Sequence, residues 1–333
     1  MSDGQQVRTD EPGRAERARQ VWTVEVPGAV LAVHGAVPGT AGAAPRSTPH
    51  LPPALFVHGL GGSADNWTEL MDALADVVDG AAVDLPGFGR SAPPLDGNLS
   101  LSGHVRAVIG YLEAAGRGPV HLFGNSLGGA GAVAVRLAAL RPDLVRSLTL
   151  ISPALPELPP QRSAWSTGLL AVPGLPALLR RLPSNGRGVE DATDGLLRLV
   201  YGDAAAVPAG RRADAVTEYR RRMGLPYAMQ VLAGSARGIV SAYTERGGQS
   251  LWRQAGQVRV PVLLVYGLRD RLVSYRSARR ACAAFADARL LVLPESGHVA
   301  MMEHTAPVAR AVRELLAAPS ARSGERGGAR SGV

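Results

Sequence analysis

A serine flanked by glycines is the residue of this chain whose setting most strongly suggests chemistry. Residues 124–128 read Gly-Asn-Ser-Leu-Gly, after an apolar run at 120–123 and before an alanine- and leucine-rich stretch at 129–140. A turn from strand to helix is too sharp here for bulky neighbours, so the glycines let the Ser126 hydroxyl stand clear of the sheet edge. The pattern predicts a nucleophilic serine, although a motif this short also arises by chance.

A histidine and an aspartate further along the chain are suited to activate that serine. A serine hydroxyl is a poor nucleophile until a neighbouring imidazole takes its proton. His298 ends the sequence Pro-Glu-Ser-Gly-His after an apolar run, and Asp270 ends Gly-Leu-Arg-Asp after another. We predict His298 as the base, and Asp270 as the carboxylate that fixes its tautomer and stabilises the imidazolium.

Two backbone N–H groups are needed to stabilise the oxyanion that forms on an attacked carbonyl. The N–H of Leu127, directly after the serine, is expected to be one of them. The other is expected in the sequence His-Gly-Leu-Gly-Gly of residues 58–62. We predict the N–H of Leu60 as this donor, because the surrounding glycines let the backbone come close to a substrate.

Five such motifs follow five apolar runs, the fifth being Asp-Leu-Pro-Gly-Phe-Gly-Arg-Ser at residues 84–91. In open α/β sheets, functional groups gather at the carboxyl ends of the strands. With these motifs in this order, the chain resembles the α/β-hydrolase superfamily over about residues 20–318. The resemblance implies an α/β-hydrolase fold: a mostly parallel twisted sheet with helices on both faces and an inserted helical lid. It also implies a triad in the chain order serine, aspartate, histidine.

Two other interpretations of the acidic residue stay open. Glu157 follows a strand predicted at residues 148–152, and some members of the resembled fold place the acid there. Asp270 could also serve only as the cap of a helix that begins near Ser274. The Gly-x-x-Asp sequence after an apolar run favours Asp270 as the acid.

The other histidines are assigned no catalytic part. His304 is expected inside the helix that follows His298, and His58 is expected to hold its loop in shape. The remaining histidines have no partners at the spacing of metal ligands, so neither a metal nor another cofactor is expected. These residues are His34, His50, His104 and His121.

Length and composition agree with one catalytic domain that carries an insertion. With 333 residues, 46% of them hydrophobic, the chain can bury one large core and an additional lobe. Strands that alternate with helical stretches predict a mostly parallel sheet covered on both faces. The expected organisation is a disordered N-terminal tail at 1–20, a core at 21–153 and 258–318, a helical lid at 154–257 and a disordered C-terminal tail at 319–333.

The net charge of +8 says little about partners, because every basic residue of the chain is arginine. The three consecutive arginines at 220–222 are interpreted as a solvated helix face, with an anionic-ligand site as the alternative. No nucleic-acid motif is present, and no run of about 18 apolar residues is available to span a membrane. We therefore expect a cytoplasmic protein with a small-molecule substrate, no nucleic acid and no membrane span; its oligomeric state is left open.

The expected function is that of a serine hydrolase acting on a small, partly hydrophobic ester through an acyl-enzyme. Within the resembled superfamily, serine at position 126 argues against the branches with an aspartate nucleophile. The sequence Gly-Asn-Ser-Leu-Gly-Gly around Ser126 is similar to that of hydrolases that cleave carbon–carbon bonds. The loop at 59–62 and Val299 after His298 differ from theirs. A carbon–carbon bond hydrolase or an acyltransferase on the same triad stays open, as does a non-catalytic, ligand-binding member of the fold.

Overall fold

The computed structural model describes residues 19–36, 51–126, 132–156, 169, 171–172 and 188–318. These residues form a mostly parallel sheet with helices on both faces, so the predicted α/β-hydrolase type of fold is confirmed. Nearly all of the two predicted tails lies outside the described residues, and so do Leu127 and Glu157.

The sheet of the described chain has eight strands. They are Arg19–Val26 (β1), Ala29–Ala36 (β2), Pro53–Val57 (β3), Asp79–Val83 (β4), Val120–Asn125 (β5), Val145–Ile151 (β6), Val262–Gly267 (β7) and Ala288–Leu293 (β8). Their spatial order is β1-β2-β4-β3-β5-β6-β7-β8. β2 pairs antiparallel with β1 and with β4, whereas all other neighbours are parallel.

The α-helices within the described ranges alternate with these strands and fill the long connection between β6 and β7. They are Thr68–Leu74 (α1), Leu101–Ala114 (α2), Val135–Leu140 (α3), Val189–Val200 (α4), Ala209–Met223 (α5), Ala228–Thr244 (α6), Leu251–Ala255 (α7), Ala278–Ala284 (α8), Ala300–Glu303 (α9) and Thr305–Ala317 (α10). We call residues 154–257, which contain α4 to α7, the β6–β7 segment. No helix in the described ranges is both long and apolar enough to cross a lipid bilayer.

Successive side chains along the central strands point alternately into two buried hydrophobic clusters. In β3, Leu55 and Val57 belong to one cluster, while Ala54 and Phe56 belong to the other. Because successive side chains of a strand point to opposite faces, a central strand covered on both faces must be apolar throughout. All six residues of β7 are buried, as this requires.

Helices on the two faces of the sheet complete these clusters. Side chains of α2, α3, α7 and α8 pack into the first cluster, and those of α1, α9 and α10 into the second. The β6–β7 segment contributes to both, since Val231 of α6 lies in the first and Leu197 of α4 in the second. The part of the segment that the structure describes at residues 188–257 is therefore packed against the core.

The strand order reverses at β3, which lies between β4 and β5. The chain leaves β3 toward β4 on one side, and it returns past β3 to reach β5 on the other. Such a reversal opens a crevice at the carboxyl ends of the strands, where open α/β sheets bind their ligands. The loop after β3 and the turn after β5 flank this crevice.

The hairpin predicted at residues 21–37 is present, with Pro27 and Gly28 between its strands. Gly28 has a φ of 81°, which glycine adopts without a steric penalty. β1 begins at Arg19, two residues before the predicted start of the core, because Arg19 still pairs with Ala36 at the end of β2. The pairing of β1 with β2 therefore includes the last two residues of the N-terminal tail predicted at 1–20.

A buried ion pair joins the antiparallel part of the sheet to the loop after β4. His34 Nε2 lies 3.0 Å from Asp84 Oδ2, and His34 Nδ1 lies 3.5 Å from Asp65 Oδ1. Burial lowers the pKa of His34, but the bonds with Asp65 and Asp84 outweigh burial and raise the pKa to about 9. His34 is consequently a cation at neutral pH, and the sequence analysis did not find its partners.

We expect the free energy of unfolding to decrease as the pH rises from about 6.5 to about 9. In this window the folded state holds a proton on His34 that the unfolded state has released, so folding is favoured less at higher pH. The 2.5-unit difference between pKa values of 6.5 and 9 corresponds to about 3 kcal/mol. Urea unfolding at successive pH values measures the decrease. The variant His34→Gln serves as the control, and an equal decrease in that variant would rule out His34 as the cause.

Candidate active site

Ser126 follows the last residue of β5 in a backbone conformation that residues other than glycine rarely adopt. Its φ is 62°, in the left-handed region, where an L-residue costs roughly 1–3 kcal/mol. Gly59 passes directly beside it, since a Cβ at residue 59 would lie 2.8 Å from the Ser126 Cβ. The missing side chain lets residues 58–62, which we call the oxyanion loop after the role predicted for them, lie against the serine.

His298 and Asp270 form a buried hydrogen-bonded pair at the ends of β8 and β7. His298 Nδ1 lies 2.9 Å from Asp270 Oδ2 and 3.1 Å from Oδ1. Because an ionised carboxylate only accepts hydrogen bonds, Nδ1 must donate, which leaves Nε2 as the basic nitrogen. The geometry is that of a general base held by a carboxylate; the catalytic roles of these residues stay predictions.

Asp270 is held by its own loop as well as by the imidazole. Its Oδ1 accepts from the N–H of Leu272 at 2.8 Å and of Val273 at 3.0 Å. Burial alone would raise the pKa of Asp270, but His298 and these two N–H groups lower it below its ordinary value. The helical turn at Ser274 has a cap of its own, because the Ser274 hydroxyl accepts from the N–H of Arg276. Asp270 is thus more than a helix cap.

Asn125 connects the serine to residues 294–298, which follow β8 and which we call the histidine loop. Its side-chain Nδ2 donates to the carbonyl of His298 at 3.0 Å and to that of Ile151 at 3.2 Å. A residue adjacent to Ser126 thereby fixes the backbone of His298 and the end of β6. The role of Asn125 was not predicted from the sequence, although a polar side chain at the end of an apolar strand is a signal for such a role.

The oxyanion loop begins with a tight turn of four residues. The N–H of Gly62 donates to the carbonyl of Gly59 at 3.0 Å, and Gly61 has a φ of 71°. A positive φ at the third residue is what a type II turn requires, and such a turn does not use the N–H of its second residue, Leu60. Among the described residues, no acceptor is found for this N–H. Leu60 is therefore suitably placed as a donor, whereas Leu127 lies outside the described residues.

His58 holds the oxyanion loop to the loop after β4. Its Nε2 accepts from the N–H of Leu85 at 3.0 Å, so Nδ1 carries the proton and donates to the carbonyl of Gly59 at 2.7 Å. Burial lowers the pKa of His58 and keeps the ring neutral. Both ring nitrogens are engaged with the backbone, which agrees with a part in shaping the loop.

Asp84 fixes the same loops from the other side. Its carboxylate accepts from the N–H of Ala64 at 2.7 Å and of Arg90 at 2.8 Å, in addition to His34. Burial would raise the pKa of Asp84, yet His34 and the backbone N–H groups keep it below the ordinary value. The carboxylate therefore stays ionised, and its charge holds the loop after β3 against the loop after β4.

Arginines of α5 bind carbonyl groups of the core. Arg222 Nη1 donates to the carbonyl of Gly61 in the oxyanion loop, and Arg221 Nη2 donates to that of Gly89 at 2.7 Å. Arg220, by contrast, is exposed and paired with Glu190. The interpretation of residues 220–222 as a solvated face is therefore wrong for two of the three, because their long side chains reach back across the crevice.

The expectation for His304 also needs correction. His304 lies between α9 and α10, not inside a helix. Cys282 is half-buried, and its Sγ lies 3.7 Å from the carbonyl of Ala288. Among the residues that the structure describes, no group of three or more histidine, cysteine or acidic side chains is arranged to hold a metal ion.

Comparison with known proteins agrees with this architecture. Residues 52–305 match the family model described as alpha/beta hydrolase fold. The chain belongs to the α/β-hydrolase fold family.

Relatives within this family have differing chemistries. The chain is 32% identical over 254 residues to a dihydrolipoyllysine-residue acetyltransferase component of the acetoin cleaving system from Pseudomonas putida, covering 75% of this chain and 60% of that protein. It thus spans about three fifths of that relative's length. It is 26% identical to monoacylglycerol lipase ABHD6 from Homo sapiens, covering 80% of this chain and 76% of the lipase.

A solved structure shows the same fold. The meta-cleavage product hydrolase from Pseudomonas fluorescens IP01 superposes with a TM-score of 0.68, covering 88% of this chain and 96% of that one. Its sequence identity of 21% supports a common fold and says nothing further about substrate.

We expect the substitution Asp270→Asn to lower turnover by about 10,000-fold, because an amide facing His298 favours the wrong tautomer of the imidazole. Its oxygen can still accept from Leu272 and Val273, so the midpoint of thermal unfolding should change little. Steady-state hydrolysis of a p-nitrophenyl ester measures the effect, with Glu157→Gln as the matched control. If Glu157→Gln abolished turnover while Asp270→Asn did not, the acid would have to be reassigned to Glu157.

Proposed function

We propose that the protein is a serine hydrolase that cleaves a small, partly hydrophobic ester through an acyl-enzyme. The observation that carries this proposal is the buried His298–Asp270 pair, whose backbone is bonded to the residue next to Ser126. Relatives named as a lipase and as hydrolases support hydrolase activity for the chain.

Acylation would begin with the imidazole. His298 Nε2 takes the proton of the Ser126 hydroxyl as the serine oxygen attacks the ester carbonyl carbon. The N–H groups of Leu60 and Leu127 then stabilise the negative charge on the carbonyl oxygen. When the tetrahedral intermediate collapses, His298 gives its proton to the departing alcohol and an ester of Ser126 remains.

Deacylation would repeat these steps with water as the nucleophile. His298 Nε2 takes a proton from the water as it attacks the acyl carbon, and the imidazolium then returns a proton to the Ser126 oxygen. Throughout, the charge of Asp270 stabilises the imidazolium. No group beyond the side chains and main chain of this protein is needed for either half of the reaction.

We propose that the β6–β7 segment acts as a lid over this site and supplies the surface for the hydrophobic part of the substrate. The bond from Arg222 of α5 to the carbonyl of Gly61 supports this, because it brings the segment to the oxyanion loop. Apolar side chains beside Leu60 give further support, since Leu85, Phe88 and Ile239 line the boundary between the core and α6.

An acyltransferase is the second candidate, and the identity of 32% to an acetyltransferase component favours it. Such an enzyme would form the same acyl-enzyme, but a thiol, alcohol or amine would replace water in the second half. The two functions therefore share every residue proposed above and differ in what approaches the acyl carbon.

We expect a fluorophosphonate probe to label the wild-type protein covalently at Ser126, because the probe reacts with serines activated by a base. The variant Ser126→Ala should not be labelled. Ser152 offers a matched control, since it also has a positive φ, of 49°, after the neighbouring strand β6. Labelling should persist in Ser152→Gly. Gel fluorescence measures both results, and labelling of Ser126→Ala would overturn the assignment of the nucleophile.

Hydrolysis and acyl transfer can be separated with p-nitrophenyl esters of increasing acyl length. For a hydrolase, release of p-nitrophenol should equal release of free acid and should be unaffected by added thiols, alcohols or amines. For a transferase, an added acceptor should speed p-nitrophenol release and appear in an acylated product. The chain length with the highest kcat/KM reports the size of the acyl pocket.

A further inference from the structure

One carboxylate binds two separate segments of the chain at the edge of the proposed site. Glu303 of α9 accepts from the N–H of Gly202 at 2.7 Å through Oε2 and from the N–H of Gly297 at 2.9 Å through Oε1. Gly202 lies two residues after α4 in the β6–β7 segment, and Gly297 directly precedes His298. Each carboxylate oxygen thus holds a different segment.

The same two segments are in direct backbone contact. The N–H of His298 donates to the carbonyl of Val200, the last residue of α4, at 2.7 Å. A Cβ on Gly202 would lie 2.3 Å from the carbonyl oxygen of Glu295, and a Cβ on Gly297 would lie 2.4 Å from the Gly202 nitrogen. These separations exclude any side chain, so the two segments lie against each other without an intervening layer.

A third glycine, Gly267, lies against the histidine loop on the side of Asp270. A Cβ on Gly267, the last residue of β7, would lie 2.3 Å from the carbonyl oxygens of Ser296 and Gly297. The N–H of Arg269 also donates to the carbonyl of Ser296 at 2.9 Å. The histidine loop is therefore enclosed between the end of α4 on one side and the loop that carries Asp270 on the other.

We propose that Glu303 is a positioning residue that couples the β6–β7 segment to His298. Glu303 holds Gly202 and Gly297 together. The imidazole of His298 is therefore correctly oriented only when the end of α4 lies against the histidine loop. The proposal rests on the proposed function, because it concerns the placement of the same base. Glu303 itself contacts no reacting atom.

The two backbone bonds favour a carboxylate at this position, although its burial disfavours the negative charge. Burial raises the pKa of Glu303, while the N–H groups of Gly202 and Gly297 oppose this change, as does the neighbouring His304. Tyr201 is a further titratable group that interacts with Glu303. An ionised carboxylate is the side chain that can accept two N–H bonds with equal strength, whereas an amide offers one oxygen and one NH₂ group.

The test compares Glu303→Gln with Glu295→Gln in the full-length protein. Glu295 lies in the same loop, but its carboxylate is exposed and paired with Arg269. In Glu303→Gln the amide NH₂ must face one of the two backbone N–H groups, so one of the two bonds that hold Gly202 and Gly297 together is lost. We expect fluorophosphonate labelling of Ser126 to slow by roughly 10- to 100-fold, as small displacements of catalytic groups do, and kcat to fall more than KM changes. Glu295→Gln should label at the wild-type rate.

An NMR measurement separates positioning from general stability. The Nδ1 proton of His298, which bonds to Asp270, should shift or broaden in Glu303→Gln and stay unchanged in Glu295→Gln, at equal thermal stability. An unchanged labelling rate and an unchanged Nδ1 resonance in Glu303→Gln would overturn the proposal. Failure of the wild type to be labelled at all would instead reject the proposed function.

If Glu303→Gln does not fold, the wild-type protein provides the test. Protonation of Glu303 at low pH should shift the amide protons of Gly202 and Gly297 with one common midpoint. The amide of His298 should show an inflection at that same pH, because it shares the contact. Amides of Gly202 and Gly297 that titrate together without a response at His298 would contradict the coupling.

Discussion

The left-handed turn at Ser126 is the constraint on which the rest of the site depends. A residue other than glycine keeps such a φ only where its surroundings leave it no alternative, since relaxation would gain roughly 1–3 kcal/mol. Here the turn leaves a central strand, β5, that is hydrogen-bonded to β3 on one side and β6 on the other. Gly59 lies against the serine, and the side chain of Asn125 binds two neighbouring backbones. Each of these contacts would have to break before the turn could relax.

The buried histidines around the crevice are distinguished by what their two nitrogens contact. His34 faces two carboxylates and is held as a cation, while His58 is bonded to the backbone through both nitrogens and is held neutral. Neither has a nitrogen left for a substrate. His298 contacts one carboxylate through Nδ1, which leaves Nε2 for proton transfer. The same residue type therefore supplies two structural supports and one candidate base, and the difference lies in the number of partners.

Much of this arrangement could be predicted from the sequence, because its signals are local. Each motif follows an apolar run, so the parallel sheet alone is enough to bring Asp270 and His298 to adjacent strand ends. Contacts that depend on how distant segments pack could not be predicted. The bond from Asn125 to the His298 carbonyl joins residues 173 positions apart, and nothing next to either residue indicates the other. The bonds of Arg221 and Arg222 to core carbonyls could not be predicted for the same reason. Helical periodicity alone does not show which carbonyl a long side chain reaches.

Besides its hydrophobic packing, the described part of the β6–β7 segment makes two polar contacts with the core that differ in how far they can yield. At α5, Arg221 and Arg222 reach across with long flexible side chains, and a charged hydrogen bond of this kind contributes roughly 1.5–3 kcal/mol. At Gly202, backbone meets backbone with no room for even one Cβ, and Glu303 holds both sides. A contact through long side chains can break and re-form without disturbing the sheet, whereas displacement at Gly202 would shift the loop that carries His298. If the segment opens for substrate entry, we therefore expect α5 to move away from the crevice and the end of α4 to stay in place. His298 would then remain bonded to Asp270 while the crevice is exposed.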